Sequence, residues 1–519
     1  MFSYYSSRTQ IVILGFVCFF CPGMFNALNG MGGGGQKDQT IGNNANTALY
    51  ACFTVFGLTG GMFVNMFGVR LCMFVTGLFY ALYSGSYIYL NNTGKGGFTI
   101  AAGALLGLAC GIFWAAQGMI MMSYPREQEK GLFITIFWII FNFGGVIGGI
   151  LPFAINFNND TSLSNGAYAG FIALECVGSC LAWALAPPSK VRKTDGTLVQ
   201  IKTNPEEVNI RNQVVGILKT FRYPLTAALI PLSLSSNFYY SYEFSVYNGE
   251  LFTTRTRGFN NIFYWAAEMV ASIGFSRILD NKNMTRRKRG LIALILVTVL
   301  LNICWGGALA VQLQYSKTKQ YPGGIIDFLD GGRAVGPIIL YVYMGACDAL
   351  WQNMAYWLLG ALTNDADTSA HYAGFYKGMQ SLGAVVAWQL AAQKVSFIAQ
   401  LVVNWVLIDL SLPTMYYVVL RIQDSSYDKE TADGDDNVQE GQHVLGESSD
   451  NSTVAGGSGY KNVATGPDDI NDMEKGFDGQ VNTYTSSPAP PVYSNEKDGA
   501  FTPTGSYSIA NSTAKQGSP

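Results

Sequence analysis

The sequence predicts an all-α membrane protein: twelve transmembrane helices in two six-helix bundles, followed by a disordered C-terminal tail. Three observations carry this prediction. About twelve apolar stretches of membrane-crossing length fill the first 420 of 519 residues. One long polar interruption falls near residue 200, and residues 421–519 contain no apolar run. A hydrocarbon core requires about 20 apolar residues per helical crossing. Inside lipid each backbone polar group must be satisfied within its own segment, so each stretch must be a helix.

In chain order the expected spans are approximately 9–29, 45–66, 70–90, 98–122, 131–153, 166–187, 224–247, 259–279, 290–311, 335–359, 370–392 and 395–420. The first run has one preceding basic residue, Arg8, and no small-x-small cleavage site, so it reads as a retained span rather than a signal peptide. The loop 188–223 follows Pro187 and holds KVRKTDG and NPEEV. It divides an N-terminal bundle (1–187) from a C-terminal bundle (224–420), and 421–519 is the acidic cytoplasmic tail.

Charge sets the orientation. Residues are 49% hydrophobic and 13% charged, against about 25% charged in soluble domains. The tail has 16 acids and 6 bases, so the remainder is net basic. Basic residues gather in alternate loops, at Arg70, at Arg126 and Lys130, along 190–222 and at Arg286–Arg289. This places both termini in the cytoplasm of a multi-pass protein of the plasma membrane or an endomembrane. RRKR at 286–289 is a topological anchor, and no soluble basic face exists to bind nucleic acid. The sequons at Asn91 and Asn159 fall on the opposite side, as glycosylation requires.

Enzyme chemistry is excluded. All nine cysteines lie in expected spans, and the Cys18–Cys21 pair sits in an apolar helix, where packing outweighs redox use. His371 and His443 are far apart, with no metal-ligand spacing or nucleophile elbow, so neither a metal nor a cofactor is expected.

Ionisable groups inside spans mark a task, because each costs several kcal/mol in hydrocarbon unless paired or hydrated. They are Glu175, Glu243, Glu268, Asp348, Lys377 and Asp409. Lys377 is the one cation well inside a span, and Asp348 or Glu243 is its expected partner; a pair that only locks helices together is the competing reading. Asp348, Trp351 and Gln352 share a helix face, as do Lys377, Gln380 and Ser381. In span seven Tyr239 and Glu243 share a face that Tyr240 does not. Trp114 and Gln117 in span four, with Asn26 at the end of span one, complete the candidate ligand-binding set. Aromatic walls with few polar groups suit a small amphipathic solute; an aromatic helix interface is the plainer alternative.

Loop motifs echo between the halves. GGMFVNMFGVR supplies Gly61, Asn65, Gly68 and Arg70, and GFSRILDNKNMTRRKRG supplies Gly274, Arg277 and Asp280. A glycine permits close helix approach and a polar-basic cluster pins the turn; positive-inside anchoring alone would also give the bases. Gly30 and Gly32–Gly35 make a glycine-rich exit from span one, read as a flexible gate or a plain loop. No Lys-Ser or Lys-Thr follows, which excludes a phosphate-cradling loop. Arg255 and Arg257 are placed to attract an anion or to pair with acids near the exit of span one; structural contact to loop carbonyls or lipid headgroups is the plainer alternative. In the tail, Pro490, Pro491 and Tyr493 form a PPxY motif that suits the aromatic groove of a WW domain, as carried by ubiquitin ligases.

Four strings occur together and in order: NALNGMGGGGQ, FYYSYEFSVYNGELFTTRTRGFNNIFYW, CDALWQNMAYWLLGALTND and AGFYKGMQSLGAVVAW. Together they resemble the fungal branch of the uncoordinated-93 (Unc-93-like) family, a divergent group of the major facilitator superfamily, over roughly residues 9–420. The resemblance implies two six-span bundles with spans one, four, seven and ten facing a central cavity. It leaves function open, since animal relatives include a potassium-channel regulator and a receptor-trafficking chaperone. Asn65 stands where major facilitators usually carry an acid, which puts the gating salt bridge built on that acid in doubt. Two functions follow: a secondary transporter of a small solute by alternating access, or a non-transporting adaptor that regulates or escorts a membrane-protein partner.

Overall fold

The computed structural model describes residues 3–57, 59–126, 129–158, 162–199, 210–281, 283–363 and 366–422. All lie within the first of two compact units, Met1–Leu445. The sequon Asn159 and the motif Pro490, Pro491 and Tyr493 lie outside the described residues.

Nine helices among the described residues are long and apolar enough to cross a membrane. They are α1 (Ser7–Gly30), α3 (Gly60–Thr93), α4 (Gly97–Ser123), α5 (Lys130–Ile155), α6 (Asn165–Leu181), α8 (Thr254–Leu279), α9 (Arg286–Gln312), α10 (Gly332–Ala361) and α12 (Phe397–Val419). Three further helical stretches stand between them: α2 (Thr40–Phe56), the broken helix α7 (224–251) and α11 (Ala366–Ala392). Hydroxyl side chains set several starts. Ser164, Thr253, Thr285 and Ser396 accept from the backbone N–H three residues on and cap α6, α8, α9 and α12.

Two expected spans and the linker are drawn differently. The stretch 45–66 is not one helix: α2 ends at Phe56 and α3 starts at Gly60, where a side chain would strike the Gly111 carbonyl at 2.2 Å. The apolar run hid this break because glycine scores as neutral rather than polar. The stretch 224–247 is not a regular helix. Its α-turns run Pro224–Ala228 and Ile230–Ser235, then Ser241–Asn248 winds as a π-helix. Pro231 removes a donor, and Ser233 and Ser236 bond back to the carbonyls of Leu229 and Leu232 at 2.8 and 2.7 Å, loosening the ladder. Finally, the linker is not all loop: Ile210–Thr220 is helical and reaches α11, where Gly216 lies against the His371 ring.

Glycines determine how closely the helices pack. On α4, Gly103, Gly107 and Gly111 repeat every fourth residue; a side chain there would meet backbone of Ala45, Leu49 and Phe56 on α2 at 2.4, 2.0 and 2.5 Å. On α5 the string GGVIGG splits by face. Gly144 and Gly148 lie against Phe19 and Ala27 of α1, while Gly145 and Gly149 lie against Trp265 and Ile262 of α8. Helix α5 therefore joins the first helix to the second half of the chain, and α2 packs on α11 in the same sense.

The loop motifs are placed unevenly. Gly68 adopts φ 77°, a left-handed kink inside α3. Arg70 donates to the Leu185 carbonyl. Close approach falls on Gly60, and Gly274 is exposed with nothing within 4 Å of a side chain built there, contrary to the packing role expected for it. Arg277 and Asp280 are exposed; it is Arg289 that pins the second turn, donating to the Leu279 carbonyl at 3.1 Å. Asn65 is half-buried.

These packing distances separate two glycine substitutions. Gly107→Ala should lower stability by about 1–3 kcal/mol through overpacking, whereas Gly274→Ala should be neutral or stabilising by up to about 1 kcal/mol. Thermal midpoints of the detergent-solubilised protein check this; equal midpoints would refute the packing assignment.

Candidate functional site

The intramembrane polar residues converge on α7, α8, α10 and α11. Asp348 of α10 is buried and receives three tyrosine hydroxyls: Tyr239 on one oxygen, and Tyr240 and Tyr264 on the other at 2.8 and 3.2 Å. Tyr264 also donates to Glu243 at 2.8 Å. Gln352, one turn beyond Asp348, donates to the Tyr240 hydroxyl at 3.2 Å. Its carbonyl accepts from Tyr376 at 3.2 Å and from Gln380 at 3.0 Å, and Lys377 donates to the Gln380 carbonyl at 2.9 Å. The result is one continuous hydrogen-bonded run from Glu243 through Tyr264, Asp348, Tyr240, Gln352 and Gln380 to Lys377.

This geometry corrects two expectations. Lys377 does not pair with Asp348 or Glu243; no ion pair joins them among the described residues. Three tyrosine hydroxyls face Asp348 instead, Tyr264 sharing its one proton between Asp348 and Glu243, and Lys377 lies 5.6, 5.5 and 5.7 Å from the ring centres of Trp114, Tyr356 and Tyr376. Tyr240 does share the site with Tyr239, because the chain leaves α-geometry just here and continues as a π-helix.

The remaining candidates divide. Trp351 is fully buried and donates to Ser235 at 3.1 Å, packing α10 on α7. Gln117 is half-buried one turn along α4 from Trp114. Asn26 is half-buried on α1, and no hydrogen bond among the described residues ties it to the run. Tyr264, Tyr356 and Tyr376 were not anticipated. Tyr264 stands one turn before Glu268, a spacing legible in FYWAAE, but Tyr356 and Tyr376 carry no local signal.

A second polar line follows the contact of α5 with α8. Asn142 and Glu268 are buried against each other. Among the described residues, one Glu268 oxygen and the indole N–H groups of Trp138 and Trp265 have no hydrogen-bond partner. Glu175 is buried on α6 near Ser84, and Asp409 accepts from Asn302 at 3.2 Å.

At one face the halves are clasped. Gly32, Gly33, Gly34 and Gly35 are all buried at positive φ, so this segment is a tightly packed turn rather than a floppy gate. Tyr168 donates to the Gly34 carbonyl at 2.6 Å, and its ring stacks on Tyr87 at 5.3 Å. Across the seam, Asn248 donates to the Gly30 carbonyl at 2.8 Å and Asn261 to the Ala27 carbonyl at 2.9 Å. Ser245 donates to Asn43 at 2.8 Å, and Gln39 to the Ser245 carbonyl at 3.0 Å. Among the described residues, Arg255 grips Asp327 at 2.7 and 3.1 Å and donates to the Phe157 carbonyl at 3.2 Å. Arg257 donates to the Phe252 carbonyl at 3.0 Å. The Asn91 amide nitrogen donates to the Leu163 carbonyl and to Asn165, both at 2.9 Å. All nine cysteines are free, and no metal-binding group of side chains occurs among the described residues.

A family model described as "Ion channel regulatory protein UNC-93" matches residues 35–412. UNC93-like protein 1 of Arabidopsis thaliana is 44% identical over 433 residues, covering 82% of this chain and 93% of the relative. An UNC93-like protein of Schizosaccharomyces pombe is 38% identical over 410 residues, covering 78% and 81%. Among solved structures, a D-xylose-proton symporter aligns with a TM-score of 0.52 at 15% identity, over 81% of this chain and 97% of its own. A POT family peptide transporter aligns at 0.54 with 9% identity, over 81% and 98%. At such identities the likeness speaks to the fold alone.

The Arg255–Asp327 clasp carries a pH dependence. Burial raises the Asp327 pKa, but the Arg255 guanidinium, the Thr253 hydroxyl and the Leu329 N–H outweigh it and hold the carboxyl below its usual range. A folded value below the unfolded one stabilises the protein above the unfolded value near 4, and that stability is lost as pH falls through the folded value. Asp327→Asn should therefore destabilise the protein at pH 7 by roughly 1–3 kcal/mol, read as a lower thermal midpoint, and the gap should close below about pH 4. A gap unchanged at low pH would show that the charge is not what matters.

Proposed function

The chain belongs to the UNC-93 family, and from that premise we propose that it is a secondary transporter of a small solute working by alternating access. In this reading all twelve helical stretches cross the bilayer, as two six-helix bundles at 1–187 and 224–420 with both ends in the cytoplasm. The clasped face is then the exterior one, and Asn91 and Asn159 lie on the side where glycans attach. The tail motif at Pro490, Pro491 and Tyr493 serves turnover through a WW-domain ubiquitin ligase.

The observation that carries the reading is the run from Glu243 to Lys377. Polar groups at this depth cost several kcal/mol each unless satisfied, and a scaffold acting through its lipid-facing surface has no need of them. The run ends at Lys377 against Trp114, between the two halves, where a rocking motion would open and close a site. The clasp is built largely from neutral side-chain-to-backbone hydrogen bonds, each worth about 1 kcal/mol, which suits a gate that must reopen.

A second reading, a non-transporting regulator of a membrane-protein partner, is favoured by the description of the family model. Reconstitution separates the two. Purified protein in liposomes should take up at least one solute from a panel of labelled sugars, nucleosides, dipeptides and organic acids. Asp348→Asn and Tyr264→Phe should each cut that flux at least about tenfold, near 1.4 kcal/mol of barrier, at unchanged protein yield. Absence of any flux, together with co-purification of a stoichiometric integral partner, would favour the regulator; flux unchanged in both variants would remove the polar run from the mechanism.

A further inference from the structure

Lys377 stands 11 residues inside α11, roughly 16 Å from its start at a 1.5 Å rise per residue. It is half-buried, and the Tyr356 ring beside it is 38% exposed, so the ammonium is not sealed in. Of its three donors one is used, on the Gln380 carbonyl at 2.9 Å. The faces of Trp114, Tyr356 and Tyr376 surround it at 5.5–5.7 Å. Aromatic faces steady a cation by about 0.5–2 kcal/mol each but do not neutralise it. No acid pairs with it among the described residues: both Asp348 oxygens hold tyrosine hydroxyls, and Glu243 holds Tyr264. Next to this cage, the Trp138 ring packs edge-on against Tyr356 at 6.4 Å, and its buried indole N–H has no acceptor.

The local inventory is thus a cation lacking its counter-charge, an N–H lacking an acceptor, and flat apolar walls contributed by both halves of the chain. A cationic ligand would be repelled, and a neutral polyol would leave the ammonium unneutralised. We propose that Lys377 anchors the anionic group of the transported solute, and that this solute is a small organic carboxylate with an aromatic or flat apolar body. The carboxylate takes the free ammonium donors, and the body lies between Trp114 and Tyr356. The proposal rests on the transport reading for the word "transported", not for binding.

The test is equilibrium binding of radiolabelled benzoate to the full-length protein in detergent, with displacement by unlabelled benzoate or by its neutral isostere benzamide. Benzoate should bind saturably and be displaced by benzoate at least tenfold more effectively than by benzamide. Lys377→Gln should weaken binding at least tenfold, and Lys377→Arg, which keeps the charge, should restore it to within a fewfold of native. No saturable binding to the native protein, equal displacement by benzamide, or native affinity in Lys377→Gln would each overturn the proposal. If benzoate binds as described while liposomes show no flux of any solute, the carboxylate site stands and the transport reading falls.

Discussion

Hydrocarbon offers no hydrogen-bond partner, and at the Asp348 site this protein meets that constraint internally. An isolated ionisable group at this depth is costly, yet here three phenol hydroxyls converge on two oxygens, drawn from α7 and α8. Those bonds fix where α7, α8 and α10 sit relative to one another. Tyr239 and Tyr240, adjacent in sequence, both reach this group just before the backbone widens into a π-helix at Ser241.

The same constraint explains how the helices meet. Water cannot drive apolar faces together inside a bilayer, so contact depends on how closely backbones approach. The Gly103–Gly107–Gly111 stripe brings α4 onto α2, and the paired glycines of α5 bring it onto two partners at once. Asn142 and Glu268 occupy the α5–α8 contact that these glycines close, and among the described residues one Glu268 oxygen has no partner. Tight backbone packing and an unsatisfied polar atom therefore coexist at one seam between the halves of the chain.

The membrane class and the helical character were legible in the sequence because both depend on long-range averages: apolar length and the scarcity of charge. Breaks inside apolar runs were not legible, since Gly57, Gly60 and Pro231 barely change such an average while ending or bending a helix. Spacing placed Asp348 and Gln352 on one face, and both reach α7. Spacing gave no information about which residue across the gap would answer them. Opposite charges attract, so an acid is the partner the sequence suggests for Lys377; the fold instead supplies aromatic rings from α4, far away in sequence, from the preceding helix α10 and from its own neighbour Tyr376. Gly274 matched a motif by position while its surroundings hold nothing for it to pack against.

The buried turn Gly32–Gly35 has a genetic corollary. A side chain on Gly34 would lie 2.3 Å from the Tyr87 ring, and one on Gly32 would lie 2.5 Å from the Phe244 carbonyl, in a backbone region L-residues rarely adopt. Every missense codon change at these positions adds a Cβ atom, so no conservative replacement exists. Population variation across this short segment should accordingly be almost wholly synonymous, in contrast to the exposed α10 glycines Gly332 and Gly336, where the backbone is not left-handed and an added methyl meets nothing.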